Sequence, residues 1–335
     1  MSRRLLVAAL AAAVLSVPPA AVAQTSTTIE TVAPATRAAS PDGPSARPRR
    51  ATVRITDIGH LRNGRAMIMS LVPVTGTVTP FVARQRVKVT YFLNARKLRT
   101  KTVRVRKGHG DFGVFRSRIR LREGGKYAVS ARHVANRRQR GDRTIRKSWK
   151  VRYTSISLGE CGRVVKGFRK ALRRLGYIGS GSCYRGKTAR GVLAYRKVNG
   201  MSRNYHAGKA LVKRVFVGNG GYRLRHRGYA KHVETSLSKQ VLVFAKNGRP
   251  VAIYPISSGA PATPTVQGHF EFLYDQPGYN SVGMYYSYYF YGGYAVHGYH
   301  SVPNYPASHG CLRTFLSDQP EIHDRIYPGL DIFVY

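Results

Sequence analysis

The sequence predicts a multi-domain, mostly β chain: an N-terminal immunoglobulin-like β-sandwich, a small three-helix domain, and a C-terminal β-rich domain. Three patterns predict it. Hydrophobic residues alternate with period two over residues 51–153, recur with helical period over 157–217, and return to strand-like runs rich in Tyr over 221–335. The 335 residues suffice for two or three domains, and a hydrophobic content of 43% supports real cores.

Residues 1–23 read as an export signal. Arg3 and Arg4 supply the basic start, Leu5 to Val17 the apolar stretch, and Ala21-Val22-Ala23 a small-x-small cleavage site. The apolar stretch is shorter than the roughly 20 residues that a membrane span needs, and no later run is long enough. Residues 24–50, rich in Thr, Ala, Pro and Ser without periodicity, read as a disordered tether. The mature chain is expected to be secreted, extracytoplasmic and wall-associated.

The sandwich is expected over residues 51–153. Phe115, Ser117, Ile119 and Leu121 face one way while Arg116, Arg118, Arg120 and Arg122 face the other. Val87, Val89 and Tyr91 alternate with Arg86, Lys88 and Thr90, and Val103 and Val105 with Arg104 and Arg106. A last run is expected to turn Ile145, Trp149 and Val151 inward. Short strands separated by turn signals over about a hundred residues suggest two packed antiparallel sheets.

The chain carries 57 Lys and Arg against 14 Asp and Glu, a formal net charge of +43. Residues 51–152 hold 27 of the cations and only four acids, whereas residues 221–335 hold nine against seven. Like charges on neighbouring strands repel. With the export signal, they point to anionic cell-wall polymers as partners of the basic domains, and away from nucleic acid.

Over residues 157–217 the period becomes helical, with Val164, Phe168, Leu172 and Leu175 on one face, and a second helix is expected near Thr188 to Val198. Leu172 with Leu175-Gly176-Tyr177, then Thr188, Tyr195, Asn199-Gly200-Met201 and Gly208-Lys209-Ala210, resemble a small three-helix peptidoglycan-binding domain. That resemblance implies a structural domain that often grips glycan or stem peptide. The chain has three cysteines, so in an oxidising compartment two are expected to pair. Cys161 opens the first helix and Cys183 lies in the loop after it, so a bridge would clip that loop to the helix start. Pairing of either with Cys311 is the alternative.

In the last domain, Asn247-Gly248 between apolar runs predicts a hairpin. Gly268 to Tyr274, Gly293 to Val296 and Leu330 to Tyr335 read as further strands, with a short helix near Pro320 to Ile326. The chemistry concentrates between His297 and Arg313. A thiol becomes a good nucleophile only with a nearby base or positive charge. His297 ends an apolar run 14 residues before Cys311, near enough for the chain to return beside it. Gly310 permits a tight turn that leaves the amides near Cys311 free to face a developing oxyanion. As zinc ligands, His297, His300, His309 and Cys311 match none of the usual spacings, so no metal is expected. Glycosidase chemistry would need two placed carboxylates, which the seven acids do not suggest.

Ser308-His309-Gly310-Cys311-Leu312-Arg313, preceded by His297-Gly298, resembles the active-site signature of L,D-transpeptidases of the YkuD type. Ser257-Ser258-Gly259 and Thr263-Pro264 through Gly268-His269-Phe270 are similar to upstream segments of that family, and the likeness covers residues 231–335. It implies a C-terminal YkuD-type fold and peptidoglycan stem peptides as substrate. Cys311 would attack the third stem residue's carbonyl and release D-alanine. His297, oriented by the carbonyl of Gly298, would be the base, the amides of Gly310 and Cys311 would form the oxyanion hole, and His309 would support the thiolate or acyl intermediate. Arg313 would fix the loop or a stem carboxylate, with Ser308 beside it at the substrate. Tyr294 ends a Tyr-rich run from Tyr285 that lines the donor cleft, with Tyr294 against substrate, or forms a lid, or else packs in the core. Transfer to an amine of a second stem gives a 3-3 crosslink, whereas water as acceptor makes a carboxypeptidase. Loss of activity would leave a wall-binding protein. Carbapenem-type acylating inhibitors would be partners of the thiol, and no cofactor is needed. Ten residues separate His297 from Ser308, fewer than in the family pattern, and this bears on the acceptor side.

Overall fold

The computed structural model describes residues 48–335, and the expected export signal with most of the expected tether lies outside them. None of the helices among the described residues is long and apolar enough to cross a membrane. Residues 47–335 form one compact unit.

The chain begins with β1 (Arg49–Arg50), β2 (Thr52–Ile58), β3 (Arg65–Met67), β4 (Leu71–Thr79), β5 (Arg86–Leu93) and β6 (Arg96–Arg104). It continues with β7 (Arg106–Lys107), β8 (Gly113–Arg120), β9 (Lys126–His133), β10 (Gln139–Arg140) and β11 (Lys147–Arg152). Besides the short β1-β10 pair, they form two sheets, in the orders β3-β11-β9-β5-β6 and β2-β4-β8-β7. Their alternating apolar residues, among them Val72, Val74, Val87, Val89, Phe115, Val129 and Trp149, are buried in one core. Gly76 on β4 is required there, because a Cβ would lie 2.3 Å from the ring of Phe115. Two expectations fail. Ile145 is 90% exposed, since β11 starts only at Lys147 and residue 145 lies outside the alternation. Arg49 and Arg50 are not tether: β1 pairs in parallel with β10, and Arg50 reaches Asp142 at 3.1 Å.

Three helices follow: α1 (Arg163–Arg174), α2 (Gly186–Val198) and α3 (Lys209–Phe216). Phe168, Leu172, Val192, Tyr195, Leu211 and Val215 are buried in the same core as the sandwich interior. Cys161 and Cys183 are joined by a disulfide across 22 residues, and Cys311 is free. Closing a loop of that size removes unfolded-state entropy worth about 3 kcal/mol. The double variant Cys161→Ala/Cys183→Ala should lose that much in denaturant unfolding. A loss below about 1 kcal/mol would show that the helices hold the loop without it.

The C-terminal elements are β12 (Lys231–Ser236), β13 (Val241–Lys246), β14 (Arg249–Pro255), β15 (Gly268–Glu271), β16 (Tyr274–Tyr279) and β17 (Tyr285–Tyr291). They end with β18 (Tyr294–Tyr299), β19 (Leu312–Phe315), α4 (Gln319–His323) and β20 (Asp331–Val334). Asn247 and Gly248 both adopt positive φ, 50° and 69°, as a two-residue hairpin turn requires. One sheet runs β14-β13-β12-β20-β15 and the other β16-β17-β18-β19. Leu242, Phe244, Ala252 and Tyr254 pack into the core of this domain, while Val241, Val243, Ala245 and Ile253 join the core that the helices share. The run Val241 to Ala245 is therefore apolar throughout because both of its faces are covered.

Polar contacts reinforce this seam. Arg190 of α2 makes a bidentate pair with Asp318, at 2.5 and 2.6 Å, and Lys187 pairs with Glu321. Lys197 is buried and donates from Nζ to the carbonyl of Ile256 at 2.8 Å. Burial, aided by the charge of Arg203, pushes its ammonium down to about 7. Arg203 donates to the carbonyl of Asn304 at 2.7 Å, and Asn304 donates back to the carbonyl of Arg203 at 2.8 Å.

Candidate active site

The site is built where β18 and β19 run side by side. The two strands pair in parallel, with Val296 opposite Leu312 and His297 opposite Arg313. Side chains alternate across a strand, so His297, Tyr299 and Arg313 share one face, and Cys311, two residues before Arg313, projects to the same side. There they line a cavity of 270 Å³ together with Ser308, His309, Val282 and Met284.

His297 is only 2% exposed. Its Nδ1 lies 3.0 Å from the carbonyl of Gly298. A carbonyl can only accept, so Nδ1 carries the proton in the neutral ring and Nε2 keeps its lone pair. Burial pushes the imidazole down to about 4, with the charge of Arg313 acting in the same sense and the Gly298 carbonyl opposing. Burial likewise pushes the Cys311 thiol up, while the amide of Ala295 and the charge of Arg313 pull it back. The thiol donates to the carbonyl of Gly293 at 3.4 Å. Both shifts favour the uncharged forms of thiol and imidazole.

The turn that carries the thiol is tied internally. Ser308 Oγ donates to the carbonyl of Cys311 at 2.5 Å and accepts from the amide of Gly310 at 3.1 Å. Thr265 Oγ1 donates to the carbonyl of Gly310 at 2.6 Å and accepts from the amide of Gly259 at 2.9 Å. Gly310 has φ +116°, and a Cβ there would lie 2.7 Å from the ring of Tyr294, so both backbone and space demand glycine. Ser257 and Arg313 exchange backbone hydrogen bonds, and Ser257 Oγ donates to the carbonyl of Tyr305.

Several expected roles change with this geometry. Of the two amides of the expected oxyanion pair, that of Gly310 already donates to Ser308 Oγ. Ser308 spends its hydroxyl inside the turn, so it shapes the loop and does not reach for substrate. Tyr294 lies outside the cavity lining; it sits on the opposite face of β18 from His297 and packs on Gly310 and the domain core. His309 is exposed at the rim. The Arg313 guanidinium lies 4.3 Å over the ring of Tyr299 and donates to the carbonyl of Ala307 at 3.2 Å, while its buried Nε has no protein partner. It is thus held at the cavity with a donor to spare.

Sequence reading missed Val282, Met284 and Tyr299 as lining residues. Val282 and Met284 lie at the tip between β16 and β17, where Asn280 Oδ1 accepts from both of their amides. An Asn followed three residues later by Gly283 was the available turn signal. The Tyr-rich run is a strand of the sheet: Tyr288 and Phe290 enter the core, and Tyr289 stacks on Tyr274 with ring centroids 4.7 Å apart.

Comparison with known proteins points to one family. Residues 230–334 match the family profile of the L,D-transpeptidase catalytic domain, YkuD. No curated protein matches the chain. Among solved structures, an L,D-transpeptidase from Xylanimonas cellulosilytica (residues 123–326) is 30% identical. It matches over 55% of this chain and 98% of its own, with a TM-score of 0.50. An L,D-transpeptidase from Stackebrandtia nassauensis is 18% identical, covering 55% of this chain and 96% of that one, with a TM-score of 0.35. The catalytic domain of the E. faecium L,D-transpeptidase is 22% identical over 33% of this chain and all of its own length, with a TM-score of 0.30.

Proposed function

Given that the chain belongs to the L,D-transpeptidases, we propose that it is a secreted wall enzyme with Cys311 as its nucleophile, forming 3-3 crosslinks in peptidoglycan. The single observation that supports this most is the shared cavity of Cys311 and His297, with the histidine tautomer set by Gly298. The Cys311 sulfur attacks the carbonyl of the third residue of a tetrapeptide stem. Its proton passes to Nε2 of His297, the one ring nitrogen left with a lone pair. The amide of Cys311 stabilises the oxyanion, and collapse expels D-alanine, which takes the proton from His297. An amine of a second stem then attacks the thioester and loses its proton to His297; collapse breaks the carbon–sulfur bond, and the released Cys311 sulfur takes that proton back. Arg313, which lines the cavity, supplies the cation at the donor side, where its guanidinium would face a stem carboxylate.

The helices serve as the wall-facing support, and the cationic sandwich keeps the enzyme on anionic wall polymers. The test is to incubate tetrapeptide-stem muropeptides with the enzyme and identify products by mass spectrometry. Crosslinked dimers carry the proposal. Tripeptides alone would replace it with the carboxypeptidase reading, and no product with a correctly folded enzyme would leave a wall-binding protein. Formation of a covalent adduct between Cys311 and a carbapenem checks the thiol separately.

The depressed imidazole changes the expected pH dependence. With His297 at about 4, kcat/KM should stay level from pH 5 to 8 and fall only below that, with a midpoint near 4. An ordinary imidazole would give a decline centred near 6.5, so a midpoint there would refute a buried neutral base. Stability moves in the same direction. The unfolded chain binds the His297 proton more readily, so stability present above pH 6.5 is lost as pH falls towards 4.

A further inference from the structure

The two outward faces of the sandwich are both basic, but they are built differently. On β8, Arg116 and Arg118 stand across from Thr75 and Pro73 of β4, so each cation has a neutral neighbour. On β5 the cations oppose cations: Lys88 stands across from Arg132 of β9, and Arg86 across from Arg104 of β6. Like charges directly opposite one another destabilise a sheet. All four side chains are exposed, so no packing need accounts for them.

Lys88 and Arg132 belong to the wall of an open concavity of 910 Å³, whose rim also carries Arg143 and Arg146. Its floor is a row of hydroxyls across three strands, Ser130, Thr90 and Thr100 in register, with the two threonine oxygens 3.1 Å apart. Arg146 is held at the edge by stacking on Phe92, 3.9 Å from the ring centroid. The one acid in the lining, Asp142, is already occupied by Arg50 at 3.1 Å and by the amide of Val53 at 3.0 Å. Its charge is thereby spent within the protein.

We infer that this concavity on β5, β6 and β9 is a binding site for a linear phosphate-bearing polymer of the cell surface. Cations on adjacent strands stand about 5 Å apart and converge on one anion from different directions. That suits the tetrahedral oxygens of a phosphate, with the hydroxyls of the floor as further donors. A planar carboxylate is matched by the fork of a single guanidinium. Alternate residues along a strand recur about every 7 Å, so an extended chain meets the Lys88–Arg132 row and then the hydroxyl row of Ser130, Thr90 and Thr100. The site rests on the wall location proposed above and adds to it where the polymer lies and which chemistry it carries.

The experiment compares two charge reversals that change net charge equally, Lys88→Glu/Arg132→Glu on this face and Arg116→Glu/Arg118→Glu on the other. Binding to inorganic polyphosphate and to poly(glycerol phosphate) is titrated over a range of salt. The first variant should lose at least about tenfold in affinity, with the salt slope reduced by about 2, and the second less than about threefold. Lys88→Gln/Arg132→Gln should reproduce the loss, which guards against misfolding of the reversal. Equal losses for the two faces would reduce the effect to diffuse charge and overturn the site. Equally tight binding of hyaluronate, which carries only carboxylates, would overturn the phosphate assignment, and tighter binding of duplex DNA would replace it with nucleic acid. Turnover of soluble muropeptides, measured on the same variants, should be unchanged. If the wild type fails that reaction but binds polyphosphate, the enzymatic reading falls and this site stands.

Discussion

Cys311→Ala should remove muropeptide turnover altogether, and Cys311→Ser should reduce kcat by at least about 10⁴-fold. The serine variant is the sharper test. A hydroxyl is far less acidic than a thiol, and the site offers it little help. The base assigned to it is an imidazole whose burial already holds it down to about 4, a weak acceptor for a hydroxyl proton. The thiol compensates through its intrinsic nucleophilicity, which an alkoxide precursor lacks at neutral pH. His297→Gln should fall by a comparable factor in acylation, because the Nε2 lone pair disappears while the ring volume is roughly kept. Intact-mass measurement of carbapenem adducts reads acylation directly. Adducts forming at the wild-type rate in Cys311→Ser would sink the assignment of the nucleophile.

The second large effect concerns stability. Asp318→Ala should destabilise the protein by about 3–5 kcal/mol, because it leaves the guanidinium of Arg190 without its partner in a largely buried seam. The side chain of Asp318 is 1% exposed and that of Arg190 14%, so water offers little relief. Replacing both, as in Arg190→Met/Asp318→Leu, should recover much of the loss, since no buried charge remains. The consequence extends to the site. Gln319 follows Asp318, accepts from Thr314 Oγ1 at 2.5 Å, and donates to the carbonyls of Tyr286 and Val296. Thr314 Oγ1 lies 3.1 Å from the carbonyl of His297. Urea unfolding of the three proteins reads the stability. A loss below about 1 kcal/mol for Asp318→Ala would mean that the pair is hydrated and the helices are only loosely attached.

Much of this was legible from local pattern. Alternation placed the strands of the sandwich, because a half-buried strand must put every second residue inside. Asn247-Gly248 marked its turn because both positions need positive φ. Gly310 beside Cys311 carried the shape of the catalytic loop for the same reason. Where the reading failed, the cause was register or a distant neighbour. Ile145 is apolar but precedes the strand it was assigned to. Tyr294 lies close in sequence to His297 but an odd number of residues away, which turns it to the core. The Ser308 hydroxyl has partners within its own turn, and a sequence motif does not say where a hydroxyl points.

The sequence by itself determined the class of chemistry. A lone cysteine in a His-Gly-Cys context, with a second histidine upstream, allows few reactions, and the order of residues along the chain is enough to recognise them. Tertiary structure decided which nitrogen of His297 keeps its lone pair, which amide of the turn is engaged by Ser308, and which way burial moves the imidazole. It also decided that the helices are bolted to the catalytic sheet, through Arg190, Lys197 and Arg203, where the sequence suggested a separate domain. Tautomer, desolvation and docking all depend on groups distant along the chain, and only folding brings them within a few ångströms.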